Sequence, residues 1–122
     1  MKRLIFISFI LLALNSCQKE KLLMEEIYDE PAYAIGTVTK SATIAYVLTY
    51  YYEFQVGGTI YKGKKKGGVT NSTDNHMIGR QYLVVYKMGE PDKSDLNFSY
   101  PISSEQEFNN LVLGFKDNPP KP

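Results

Sequence analysis

The chain is poor in the residues that most often carry chemistry. Its 122 residues include one cysteine, one histidine and no tryptophan. A single thiol cannot close an intramolecular disulfide, so burial and hydrogen bonding must hold the fold. A zinc site takes three or four ligands, and no second histidine or spare cysteine exists. No metal is therefore expected. His76 has Asp74 nearby, yet it reads as an ordinary loop histidine, and a serine triad would have to use this same His76 as its base. Gly67-Gly68 lacks the lysine-hydroxyl ending of a phosphate loop, so no nucleotide cofactor is expected. No residue is assigned a catalytic role. Neither sign of charge dominates, with 14 basic and 13 acidic side chains, so the balance gives no reason to expect nucleic acid. A long hydrophobic run is missing too. The mostly apolar stretch Leu4 to Leu14 would cover about 16 Å as a helix, roughly half of a bilayer's hydrocarbon core. It is too short for a stable span.

What is present begins at that stretch. Lys2-Arg3 precedes it, and Leu14-Asn15-Ser16-Cys17 follows, with the one cysteine of the chain at the end. A basic start, a short apolar run and a small residue before a cut describe a removed signal segment. The layout resembles a bacterial lipoprotein signal peptide with its lipobox. The resemblance implies that residues 1–16 are removed and that Cys17 becomes the N-terminus. Cys17 would carry a diacylglyceryl thioether and usually an N-acyl chain, an anchor stable enough to hold a protein on a membrane. It would be neither a redox nor a metal residue. Gln18 is not the aspartate that commonly retains lipoproteins at the inner membrane. Gln18-Lys19-Glu20 is similar to a lysine-then-acidic surface-export signal, with Lys21 interrupting the acidic pair. The expected location is the outer membrane, facing the periplasm or the surface. Without Lys2 and Arg3 the remainder holds 12 basic against 13 acidic residues.

The remainder has room for one domain with a modest core. Residues 17–32 read as the acylated cysteine and a charged tether closed by Pro31, although Leu22, Leu23 and Ile27 have the spacing of one helical stripe. Residues 33–118 read as a small β-domain, and residues 119–122 as a disordered tail. Within the domain, Val47–Val56 is rich in β-branched and aromatic residues, Gly57-Gly58 follows, and Thr59–Lys65 resumes the pattern. Two glycines between two such runs predict a two-residue hairpin. Its register opposes Val56 to Thr59, Phe54 to Tyr61 and Tyr52 to Gly63 on one face. The other face opposes Gln55 to Ile60, Glu53 to Lys62 and Tyr51 to Lys64. The first face is apolar, with a ring over a glycine, and the second carries an opposite-charge pair.

Further strands are expected at Tyr33–Thr39, with Gly36 as a bulge or bend, and at Arg80–Met88. The latter is apolar on both faces and so is expected at a central position in the sheet. Glu90-Pro91-Asp92 is expected to stop it, and Leu96–Tyr100 to return as a short edge strand. Ser104-Glu105-Gln106-Glu107 has capping-box spacing, and Phe108, Leu111 and Val112 follow at helical spacing before Gly114. A short helix is expected at about 104–112. The fold class is mainly β, a small antiparallel barrel or sandwich with a short C-terminal helix.

Tyr52-x-Phe54-x-Val56-x-Gly58-x-x-Tyr61-x-Gly63, then Ile78-Gly79-x-x-Tyr82-x-Val84-x-Tyr86 and Pro91-x-x-Ser94, occur in that order. The series is similar to a widespread family of small bacterial β-domains of unknown function. It covers residues 50–94, implies a small antiparallel β-fold and transfers no activity.

The strongest local charge is Lys62, Lys64, Lys65 and Lys66, with Arg80 as a neighbour. It reads either as a contact for anionic lipid, lipopolysaccharide phosphate or acidic glycan, or as a charged edge that blocks strand pairing. Tyr51 could stack on a sugar or a partner, although tyrosine is also an ordinary strand former. Asn71-Ser72-Thr73 fits a glycosylation sequon and is read as chance. The balance favours a non-catalytic module on a lipid anchor, binding an envelope protein or a glycan. A small envelope hydrolase is the alternative, as is an inhibitor or immunity protein that presents the long loop 66–79. Nothing in the pattern specifies an oligomeric state.

Overall fold

The structure, a computed structural model, describes residues 19–69 and 76–122. The signal segment, the lipidation residue Cys17, the sequon and Asp74 lie outside the described residues. A helix, α1, covers residues 19–29. Five strands follow: β1 (Pro31–Ile44), β2 (Val47–Val56), β3 (Thr59–Val69), β4 (Gln81–Lys87) and β5 (Glu90–Pro101). Helix α2 (Glu105–Gly114) ends the order. All strand pairs are antiparallel, and the sheet order is β3-β2-β1-β4-β5. The sheet curls into a half-barrel, bringing its edge strands β3 and β5 into contact.

The β2–β3 hairpin forms in the register that its residues predict. All six anticipated pairs are present, from Val56↔Thr59 to Tyr51↔Lys64. Gly57 and Gly58 hold φ of 57° and 84°, as a primed turn requires. The ring of Tyr52 occupies the space a Cβ at Gly63 would need, and the ring of Tyr50 does the same at Gly67. Glycine here makes room for a ring, and the sheet gains an aromatic inner layer.

That layer is the concave core. Tyr52, Phe54, Val84 and Leu96 are buried in it. Phe54 stacks on Tyr52, Tyr61 and Tyr86 with centroids 6.1, 5.7 and 5.9 Å apart. Phe98 meets Tyr50 and Tyr82 edge-on at 5.3 and 5.0 Å. These offset and edge contacts are the favoured aromatic geometries. The convex side is covered by the helices. Ile27 of α1 and Leu83 and Val85 of β4 are buried together with Phe115, and Phe108, Leu111 and Val112 of α2 pack against them. β4 is apolar on both faces because each face meets a different core.

Several expectations change. Residues 19–29 are a helix docked on the sheet rather than a free tether, because Ile27 finds an apolar seat and is fully buried. Strand β1 starts at Pro31 and takes the central place expected of β4, which lies between β1 and the edge strand β5 and is apolar on both faces because a core covers each. The bulge of β1 lies between Val38 and Lys40, not at Gly36, where the side chains of Val84 and Leu96 press close instead. Glu90-Pro91-Asp92 opens β5 after the turn at Gly89, whose φ is 81°, and Pro91 is tolerated because β5 is an edge. The end of the chain is docked. Pro120 is buried, and the Lys121 carbonyl accepts from Asn97 Nδ2 at 2.8 Å. Helix α2 has its cap: Ser104 Oγ accepts from the Glu107 backbone N–H at 3.1 Å. The Glu107 carboxylate reaches back to the Ser103 N–H at 3.3 Å.

Candidate binding surface

The four lysines of β3 do not share one face, although Lys64, Lys65 and Lys66 line one groove. The pleat sends alternate residues to opposite faces. Lys62, Lys64 and Lys66 oppose Glu53, Tyr51 and Thr49, while Lys65 opposes Tyr50, whose ring is buried in the concave core. Lys62 pairs with Glu53 at 3.7 Å and Lys66 with Glu20 of α1 at 3.7 Å. Lys64 is exposed and makes no ion pair with the described residues. Tyr51 is half-buried, with Lys40 Nζ 5.6 Å from its ring centroid, so a cation of this chain covers the ring proposed for stacking. Arg80 is bonded to His76 Nε2 at 2.7 Å, away from the lysines of β3. The loop between β3 and β4 is shorter than 66–79, because β3 continues to Val69, and Gly79 donates to the Val38 carbonyl at 2.8 Å.

Lys65 belongs to a network that spacing alone did not reveal. Its Nζ lies 2.5 Å from Asp95 Oδ1, and Asp95 is 2% exposed. The other carboxylate oxygen of Asp95 accepts from the Tyr28 hydroxyl at 2.6 Å. Asn97 Nδ2 donates to the Tyr28 oxygen at 3.1 Å. The chain of contacts joins β3, β5, α1 and the C-terminal segment at the open seam of the half-barrel. Burial, followed by the neighbouring Asp95 carboxylate, pushes the Tyr28 phenol well above its usual range. Tyr52, buried in the core, is pushed up to about 12, and its hydroxyl is 2.7 Å from Ser94 Oγ. Both phenols stay neutral near neutrality. Asp95 has a partner on each oxygen, so it serves as a buried fastening rather than an available base.

A second cluster fixes α1. Glu26 pairs with Lys87 and Lys93, the latter at 3.0 Å, and Glu90 holds Lys93 at 2.9 Å. Hydrogen bonds from Lys87 and then Lys93 hold the Glu26 carboxyl below its ordinary range.

Two open grooves of ≈ 690 Å³ each flank these contacts. One runs beside the start of α2, with Glu53, Gln55, Gln81, Glu105 and Asn109 around Tyr33 and Phe108. The other lies between α1 and the β2–β3 hairpin. Leu23, Met24, Ile44 and Val47 are its apolar lining, and Lys64, Lys65, Lys66 and Asp95 are its charged lining. Among the described residues no group of three His, Cys, Asp or Glu could hold a metal ion, and no helix is long and apolar enough to cross a membrane. No family model, curated protein or solved structure matches the chain.

Proposed function

We propose that this chain is a lipid-anchored protein of the outer membrane whose β-domain binds an envelope protein or a glycan and performs no catalysis. The observation that carries the reading is Leu14-Asn15-Ser16-Cys17 behind a basic start and a short apolar run. Two features support it. Helix α1 begins within two residues of Cys17 in sequence and is held to the sheet by Ile27, Glu26 and Tyr28, so an acylated Cys17 would be coupled closely to the domain. The groove beside α2 combines amide and carboxylate side chains with aromatic rings, a chemistry suited to hydroxyl-rich ligands. The buried acid Asp95 is already committed to Tyr28 and Lys65.

Mass spectrometry of protein purified from membranes tests the anchor. The expected N-terminal peptide begins at Cys17 and carries thioether-linked diacylglyceryl, and Cys17→Ser abolishes the lipid label. A chain that starts at Met1 with a bare thiol rejects the reading. A glycan panel and a pull-down from envelope extract with the lipidated protein then sort the two partner classes.

A further inference from the structure

Three stretches distant in sequence meet at one end of the molecule. Glu20 at the start of α1 pairs with Lys66 near the end of β3. Ile44 and Val47, which flank the β1–β2 turn, line the same groove as Glu20, Leu23 and Lys64. Lys19 stands two residues after Cys17, a reach of at most about 7 Å. A lipid on Cys17 would therefore tether this end of the molecule.

The side chains here are unusual for a turn region. Ile44 is 61% and Tyr46 68% exposed, and Leu22 on α1 is 61% exposed. Ala45 and Tyr46 hold φ of 50° and 65°, a left-handed backbone that turns usually give to glycine or asparagine. Hairpin turns are ordinarily polar, and this one presents an isoleucine and a tyrosine. At the same end stand the exposed lysines Lys19 and Lys21 of α1 and Lys66 of β3, the last paired with Glu20. The opposite end of β2 differs. It offers Gly57-Gly58 and the exposed Ile60, with exposed Met88 in the β4–β5 turn at the same end of the sheet, single apolar side chains of the scattered kind.

Apolar and aromatic tips that share an end with lysines match the boundary between headgroups and acyl chains of an anionic bilayer. We infer that the end formed by the β1–β2 turn, the start of α1 and Lys66 of β3 docks on the membrane surface. Ile44 and Tyr46 enter the interfacial layer, and Lys19, Lys21 and Lys66 face anionic headgroups. The inference rests on the lipid-anchor reading. It adds an orientation: β2 stands away from the bilayer, and the Gly57-Gly58 turn points into solvent. The groove beside α2 is left free for a partner.

The absence of tryptophan makes a direct test available. The lipidated protein carrying Tyr46→Trp, and separately Ile60→Trp, is reconstituted into vesicles of phosphatidylethanolamine and phosphatidylglycerol with brominated acyl chains. The indole at position 46 is expected to shift to the blue and lose most of its emission to bromine, while the indole at position 60 keeps a water-like spectrum. Adding Lys21→Gln to Tyr46→Trp should weaken docking about fivefold on anionic vesicles and leave it unchanged on neutral ones. Protein that co-floats with vesicles but leaves the indole at position 46 unquenched overturns the docking while the anchor stands. Equal quenching at both positions overturns the orientation. Protein that does not float with vesicles overturns the anchor reading, and the inference falls with it.

Discussion

Strand β2 is bounded by two turns of the same geometry and opposite chemistry. At its C-terminal end Gly57 and Gly58 have φ of 57° and 84°, and at its N-terminal end Ala45 and Tyr46 have φ of 50° and 65°. Both are two-residue connections, because Val56 pairs with Thr59 and Ile44 with Val47. Glycine adopts that backbone freely. A residue with a Cβ gives up about 1–2 kcal/mol to do so. The glycine turn is thus made by its own residues. The other is imposed by the ladders around it, since Lys40–Ile44 pair with β2 up to the turn and β3 holds β2 on its far side as far as Val47↔Val69. A tight turn need not be written in turn residues when its strands are held elsewhere. The strained turn is also the one that carries exposed Ile44 and Tyr46.

The sharpest way to break this contrast is inside the β2–β3 hairpin. Gly63→Val places a branched side chain where the Tyr52 ring lies, and the Tyr52 hydroxyl is held near Ser94. Overpacking of this kind is expected to cost about 1–3 kcal/mol, and thermal unfolding would show it as a drop of several degrees. An unchanged midpoint would mean that the ring moves freely and that the concave layer is not close-packed.

The turns themselves should respond with opposite signs. Gly58→Val is expected to lose about 1–2 kcal/mol, because a β-branched residue is forced to positive φ. The double change Ala45→Asn with Tyr46→Gly installs the favoured pair for the same geometry and is expected to gain about 1 kcal/mol. Urea midpoints measure both. A loss in both cases would show that Tyr46 makes stabilising contacts that outweigh its strain. The smallest effect is expected at Glu53 and Lys62, an exposed pair at 3.7 Å. Glu53→Gln should cost well under about 1 kcal/mol, and the difference should vanish at high salt.

The same contrast explains what could be read before any coordinates. Gly57-Gly58 marks a turn, and the alternation on either side then leaves one register that puts Tyr52 and Phe54 together, so the six pairs next to the turn followed, while the register shift between Leu48 and Thr49 did not. Ser104 and Glu107 marked the start of α2 for a similar reason, since a cap is a contact between near neighbours. The segment Lys40–Ile44 and the turn Ala45-Tyr46 gave no such sign, because their pairing depends on strands clamped from elsewhere. The helical stripe of Leu22, Leu23 and Ile27 was visible, but its docking was not, because the seat for Ile27 is built from Leu83, Val85 and Phe115. The lysines of β3 were visible as charge. Their separation into an exposed set and the half-buried partner of Asp95 required the pleat and the curl of the sheet.

The sequence by itself determined the antiparallel β class, the register of one hairpin, the two apolar faces of β4 and the cap of the last helix. Each rests on interactions between residues a few positions apart or on a two-residue period. Only the tertiary structure decided that α1 is part of the domain, that Lys65 and Tyr28 share Asp95, and that Glu20, Ile44 and Lys64 line one groove. Those facts join residues dozens of positions apart, and chain order carries no information about such meetings until burial of a common core brings the segments together.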